Sequence, residues 1–210
     1  MSNCCNPIEQ IYKKKKVLII VLIINTIMFF IQFMAGLSAH STALLADSLD
    51  MLGDALAYLI SLYAVGKKPI WLVRAALIKA GIIAFFGIGI LFEATIKIFY
   101  LSEEIFPQSF IMGIFSLLGL FANGVCFYLL THHRQQDINM RSAWICARND
   151  ILVNSSVFIT AVFIMLFKNR WPDIIVGMLL ANILIFSAIK IIYESILQLR
   201  KLRNRSHFTI

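Results

Sequence analysis

Long apolar runs, separated by short polar segments, dominate the chain. A helix needs about 20 mostly apolar residues to cross a hydrocarbon core that is roughly 30 Å thick. The runs predict about six membrane-spanning helices, because each reaches that length. Their predicted positions are 17–35, 41–65, 72–99, 110–131, 142–167 and 174–196. The helix breakers Gly36, Gly66, Pro69, Pro107 and Pro172 lie between runs and support these divisions.

Composition agrees with a membrane protein. Of the 210 residues, 60% are hydrophobic and only 14% are charged, whereas a soluble domain has roughly half apolar and a quarter charged residues. The fold class is therefore predicted to be an all-α membrane protein. We expect an N-terminal tail over 1–16, a transmembrane domain over 17–196 and a short basic tail over 197–210. The first apolar run is too long for the core of a signal peptide, so it is expected to stay as a span.

The distribution of positive charge predicts the topology. The net charge is +8, and the lysines and arginines collect in the segments that share a side with the N-terminus. This bias places both termini in the cytoplasm. Because the charge follows topology, it does not indicate a nucleic-acid partner. The expected surroundings are membrane lipid, with a bacterial inner membrane as the simplest setting. The basic segments contain Lys13, Lys14, Lys15, Lys16, Lys67, Lys68, Arg74, Arg134, Arg141, Arg200, Lys201, Arg203 and Arg205.

Three carboxylates lie within the second predicted span. At about 100° per residue, Asp47, Asp50 and Asp54 fall within roughly a 60° arc of one helix face. An ionisable residue in a membrane helix is costly and marks a candidate functional site. A bound divalent cation would relieve the repulsion among these side chains. The alternative is that they stay protonated or pair with a basic residue of another helix.

The fifth predicted span carries a matching set. Cys146, Asp150 and Asn154 recur at every fourth residue and so share one side of the helix. Together with Asp50 and Asp54, the pair Cys146 and Asp150 would form a tetrahedral site of four ligands. That ligand set suits zinc, and the sulfur also suits cadmium or cobalt. Alternatively, Cys146 is a small buried apolar residue. The weaker ligand candidates are Asp47, Asn149 and Asn154.

These two stretches resemble the signatures of a known family. Residues 43–55 (ALLADSLDMLGDA) and 144–150 (WICARND) are similar to the second- and fifth-helix motifs of the cation diffusion facilitators. The resemblance implies six spans with cytoplasmic termini, exchange of metal ions for protons, and homodimers. By position, it implies that Asp50 and Asp54 form the second-helix ligand pair, and that Cys146 and Asp150 form the fifth-helix pair.

The chain departs from the family pattern at two places. Cys146 stands where the family usually has histidine, so the metal preference of the zinc members does not carry over directly. Zinc is expected first, with cadmium, cobalt or iron as alternatives and no permanently bound cofactor. Most relatives carry a cytoplasmic domain after the sixth helix. Here about 14 residues follow Ile196, too few for a folded domain. We therefore expect a short form whose dimer is held by its transmembrane helices.

The predicted function is proton-coupled efflux of divalent transition-metal cations from the cytoplasm. One alternative is a metal-binding membrane sensor that uses the same ligands without transport. A second is a metal-dependent intramembrane phosphotransferase, an enzyme class that also uses aspartates at D-x-x-x-D spacing. That class has a D-G-x-x-A-R pattern upstream of the pair, which this sequence lacks. A secondary transporter, not an enzyme, is therefore expected.

Other polar residues in the spans are expected to have structural roles. Glu93 and Lys97 are one turn apart and should pair within their helix, as should Lys190 and Glu194. Amide side chains are expected to form hydrogen bonds between helices. Two cysteines in the N-terminal tail and two histidines in a predicted loop have no assigned role. These amides are Asn25, Gln32 and Asn123, and the unassigned residues are Cys4, Cys5, His132 and His133.

Overall fold

The computed structural model describes residues 7–63, 69–99, 107–133 and 138–207. Within these residues the chain forms six α-helices and no strands, which confirms the all-α fold class. The helices are α1 (Pro7–Ala39), α2 (Thr42–Tyr63), α3 (Pro69–Phe99), α4 (Ser109–Thr131), α5 (Ile138–Phe167) and α6 (Trp171–His207). Cys4 and Cys5 lie outside the described residues.

Among the described residues, five helices are long and apolar enough to cross a membrane: α1, α3, α4, α5 and α6. α2 lacks that composition because it carries three aspartates. Its 22 residues nevertheless extend about 33 Å at 1.5 Å per residue. Most of its side chains are buried against the other helices, so its carboxylates face protein.

Two helices extend past the predicted spans into the basic tails. α1 begins at Pro7, ten residues earlier than predicted, and α6 continues to His207. Lysine and arginine are good helix formers and no breaker intervenes, so the helices continue beyond their apolar runs. Gly36 was expected to break the first helix, but it lies within α1. A Cβ there would lie 3.0 Å from the Leu45 side chain, so Gly36 allows close packing of α2.

α2 lies at the centre of the bundle and contacts α1, α3, α5 and α6. The most extensive contacts between helices join α1 with α2, α3 with α6, and α4 with α5. Large apolar side chains such as Phe85, Phe92, Phe121 and Phe186 are exposed on the outer surface. This distribution is expected when helices meet lipid on the outside and bury their polar groups inside.

The end of α1 and the starts of α2, α4 and α6 meet at one end of the bundle. His40 adopts the left-handed conformation (φ 51°) and ends α1. The Gln108 amide at the start of α4 donates to the Ala39 carbonyl at 2.9 Å. The start of α6 reaches the same place through Asp173, which contacts Ser41. The helices therefore alternate in direction, and we call this the His40 end of the bundle.

Asp173 of α6 holds the first turn of α2. Its carboxylate accepts hydrogen bonds from the Ser41 hydroxyl (2.6 Å) and from the backbone amides of Thr42 (2.8 Å) and Ala43 (3.1 Å). The first amides of a helix have no partner within the helix and carry a partial positive charge. Asp173 thus supplies, from another helix, the cap that α2 needs.

α3 joins the same cluster through Lys97 and Glu93. The Lys97 ammonium donates to the His40 carbonyl and to the Thr42 hydroxyl, both at 2.8 Å. It also pairs with Glu93 at 2.5 Å, which confirms the predicted pair within the helix. The Thr42 hydroxyl in turn donates to Glu93 at 2.9 Å. This network ties α2 to α3 and α6 at the His40 end.

Substituting Asp173→Asn is expected to destabilise the fold by about 1.5–3 kcal/mol, because the change removes a charged acceptor from the buried α2 amides. A lower midpoint of thermal unfolding in detergent would register this loss. Glu194→Gln on the same helix removes an exposed carboxylate and should leave the midpoint unchanged. Equal midpoints for Asp173→Asn and the unsubstituted protein would show that the cap contributes nothing.

Candidate metal site

The α2 pair predicted from the sequence lies near the middle of the helix. Asp54 is buried, with 7% of its surface exposed, and its carboxylate accepts a hydrogen bond from the Tyr58 hydroxyl at 3.0 Å. Asp50, one turn earlier, is partly exposed. One carboxylate of the pair is therefore enclosed by protein, and the other is partly accessible.

The α5 pair lies against the α2 pair. The Asp150 carboxyl is within hydrogen-bonding reach of both Asp50 and Asp54. The Cys146 thiol is within the same reach of Asp54. Asp150 is buried, whereas Cys146 is partly exposed, like Asp50. Two segments far apart in the sequence thus bring oxygen and sulfur ligands together in the interior of the bundle.

The four side chains adjoin one another without forming a closed coordination shell. In the part of the chain that the structure describes, no group of three or more His, Cys, Asp and Glu side chains has the geometry to hold a metal ion. The tetrahedral arrangement of Asp50, Asp54, Cys146 and Asp150 therefore stays a prediction.

The weaker candidates Asp47 and Asn154 belong to a separate network nearer the His40 end. The Gln32 amide of α1 donates to the Asp47 carboxylate (3.0 Å), the Asn154 side-chain oxygen (3.2 Å) and the Phe115 carbonyl (3.1 Å). This confirms the predicted interhelical role of Gln32. Asn154 also donates to the Asp150 carbonyl at 3.1 Å, one turn back along α5. The network therefore adjoins the predicted ligands and braces the α5 backbone against α1 and α4 one turn from Asp150.

Gly119 of α4 makes room for this network. A Cβ at this position would overlap the Asn154 side-chain oxygen and the Gln32 amide nitrogen. Gly119→Ala is therefore expected to displace both amides and to weaken metal binding about tenfold through Asp150, since a broken buried hydrogen bond costs about 1–3 kcal/mol. Gly124→Ala on the same helix, where a Cβ meets no atom within 4 Å, is the matched control. Titration calorimetry with zinc measures both, and equal affinities would refute the bracing role.

Asn149, the remaining weak candidate, is exposed. Its side-chain oxygen accepts a hydrogen bond from Arg148 at 3.5 Å. Arg148 is exposed as well, with its guanidinium 5.9 Å from the centre of the Trp144 ring. His132 and His133 lie together at the C-terminal end of α4, with ring centres 5.2 Å apart.

Sequence reasoning missed two residues beside the predicted ligands. Tyr58 lies one turn after Asp54 and donates its hydroxyl to that carboxylate. Lys79 of α3 interacts electrostatically with Asp54, Cys146 and Asp50. The rule that selected the aspartates, that an ionisable residue inside a membrane helix is a functional candidate, would have selected Lys79 too. For Tyr58, the spacing of four residues from Asp54 was the available signal.

A bundle of apolar helices with ionisable side chains buried at its centre is typical of membrane transporters. The chain belongs to the cation efflux family, because the family model described as the cation efflux transmembrane domain matches residues 18–70 and 71–200. It is a multi-pass membrane protein, and its family comprises secondary transporters rather than enzymes, which excludes the phosphotransferase alternative.

The curated relatives are metal transporters. The chain is 30% identical over 195 residues to the zinc transporter ZitB of Yersinia pestis, covering 86% of this chain and 61% of that protein. It is 25% identical over 197 residues to the cadmium, cobalt and zinc/H(+)-K(+) antiporter of Bacillus velezensis, covering 87% and 62%. The metal cation efflux system protein CzcD of Cupriavidus metallidurans is 26% identical over 163 residues, covering 71% and 50%. The chain thus spans about three fifths of the length of the first two relatives.

Proposed function

We propose that this protein exports divalent transition-metal cations from the cytoplasm in exchange for protons, through a site shared by α2 and α5. The observation that carries the proposal is the contact between two ligand pairs from separate helices. Asp50 and Asp54 of α2 lie within hydrogen-bonding reach of Asp150 of α5, and Cys146 of α5 reaches Asp54.

The chemistry of the four side chains favours a divalent transition metal. Three carboxylates in contact repel one another when ionised, and a divalent cation offsets that repulsion. A thiolate adds preference for soft or borderline metals over magnesium or calcium. The printed names of the relatives include zinc, cadmium and cobalt, so these are the cargo ions to test, with zinc first.

Exchange for protons follows from the same ligands. A carboxyl or thiol must lose its proton before it coordinates a metal, so metal binding releases protons and protonation releases metal. The Bacillus velezensis relative is named as a cadmium, cobalt and zinc/H(+)-K(+) antiporter. A site buried near the middle of the bundle also suits alternating access, in which groups of helices rock around a fixed site. We place the protein in the bacterial inner membrane as a homodimer held by its exposed apolar helix faces.

Metal uptake into everted membrane vesicles tests this function. With the vesicle interior acidified, zinc, cadmium or cobalt should accumulate inside, and collapse of the pH gradient should stop the uptake. Vesicles without the protein serve as the control. Uptake that continues unchanged without the gradient would refute proton coupling. Metal binding without any uptake would indicate a metal-binding sensor instead.

A further inference from the structure

Lys79 is a basic residue within the apolar run of α3. A lysine inside a membrane helix is costly unless it reaches an interface or a group of opposite charge. Lys79 is only partly exposed, although lipid-facing residues of α3 such as Ile78 and Phe85 are widely exposed. It therefore lies toward the interior of the bundle, where its charge acts on the residues around it.

The packing of α3 against α2 places Lys79 relative to the predicted ligands. The two helices are antiparallel: Lys97 contacts Thr42 at the His40 end, and a Cβ on Gly53 would lie 3.3 Å from Ile83. Lys79 is one turn from Ile83, away from the His40 end. At 1.5 Å per residue, its backbone thus lies about 6 Å farther from the His40 end than the backbone of Gly53 does. Lys79 is therefore about one turn beyond Asp54 in that direction.

The long side chain lets the ammonium group act on both ligand pairs. Lys79 interacts electrostatically with Asp54 and Asp50 of α2 and with Cys146 of α5. Of these residues, Asp50 and Cys146 are partly exposed, as Lys79 is. Lys79 approaches the predicted ligands from the side away from the His40 end, because its backbone lies about one turn beyond Asp54.

We propose that Lys79 is a tethered counter-cation of the metal site, which sets metal affinity without touching the metal. Its ammonium group offsets the charge of the carboxylates while the site is empty. When a divalent cation binds, the same charge repels it, so affinity falls and release becomes faster. Lys79 lies on the side of Asp54 that is predicted to face the cytoplasm. The proposal rests on the proposed transport function and specifies how that site is tuned.

The test compares neutral and charged substitutions at position 79 in the full-length purified protein. Titration calorimetry with zinc measures affinity, and zinc uptake into proteoliposomes with an imposed pH gradient measures KM and the maximal rate. The neutral variants are Lys79→Gln and Lys79→Met, and Lys79→Arg keeps the charge. Lys190→Gln removes an exposed lysine within α6 and is the matched control.

Both neutral variants should bind zinc at least about tenfold more tightly, because they remove a like charge that acts across a medium of low dielectric constant. Their KM and maximal rate should both fall, since a tighter site releases its ion more slowly. Lys79→Arg and Lys190→Gln should match the unsubstituted protein. A merely structural lysine would not produce tighter binding together with a lower maximal rate.

Unchanged or weaker zinc binding in both neutral variants would overturn the proposal. So would tighter binding by Lys79→Arg equal to that of the neutral variants, because the effect would then come from shape. The calorimetric comparison does not depend on transport. If the unsubstituted protein binds zinc but takes none up, the efflux function fails, while the change in affinity still decides the role of Lys79.

Discussion

The double substitution Asp54→Ala with Asp150→Ala is expected to reduce metal uptake by everted vesicles at least about hundredfold. The double variant lacks one buried carboxylate of α2 and one of α5. A hydrogen bond to a charged group contributes about 1.5–3 kcal/mol, so losing two such ligands should greatly weaken metal binding. Loss of both should leave Asp50 and Cys146 unable to hold the ion. Uptake of radioactive zinc at equal protein levels is the measurement.

The control for this variant removes one carboxylate that lies away from the site. Glu194→Gln changes an exposed residue of α6 and should transport zinc like the unsubstituted protein. The isosteric pair Asp54→Asn with Asp150→Asn separates loss of charge from loss of packing, and it should be as inactive as the alanine pair. Uptake by the alanine double variant that equals that of the unsubstituted protein, and that does not depend on the pH gradient, would exclude these residues from the transport path.

Cys146 substitutions are expected to change which metals the protein exports. A thiolate favours soft ions, whereas imidazole favours zinc and its neighbours. Cys146→His should therefore raise the preference for zinc over cadmium about tenfold, which is the effect of about 1.4 kcal/mol in differential binding. Cys146→Ser should lose cadmium export first. A panel of metal sensitivities in an efflux-deficient host measures both effects.

The contrary result for Cys146 has a clear structural meaning. Equal metal preference in the unsubstituted protein, Cys146→His and Cys146→Ser would show that the thiol is only a small buried group. Cys126→Ser is the matched control, because Cys126 is fully buried in α4 and accepts a hydrogen bond from Asn25 at 3.8 Å. It should leave the metal preference unchanged.

The positions of the helices followed from the sequence for two reasons. The length of an apolar run reflects the thickness of the membrane, and helix breakers mark the connections between runs. Pro69 and Pro172 lie in the first turns of α3 and α6, where proline is tolerated. Gly36 was misread because its role depends on another helix: it makes room for Leu45. The helical tails of α1 and α6 were missed because polar composition does not by itself end a helix.

The four-ligand site stays a prediction, because the spacing of residues on one helix defines a shared face but does not identify the side chains that pack against it. Asp47 shares a face with Asp50 and Asp54, yet Gln32 of α1 engages it in a different network. The cap that Asp173 provides for α2 spans more than a hundred residues of sequence, and no local pattern predicts such a contact. Lys79 could have been found, since it is an ionisable residue in an apolar helix.

The central claim is that α2 and α5 together hold one transported ion. Equilibrium binding of zinc to the purified protein, compared with the single variants Asp54→Asn and Asp150→Asn, tests it most directly. We predict that both variants lose high-affinity zinc binding to a similar extent, because each variant removes a ligand that a different helix contributes. Full zinc binding in either single variant would show that the site does not join the two helices.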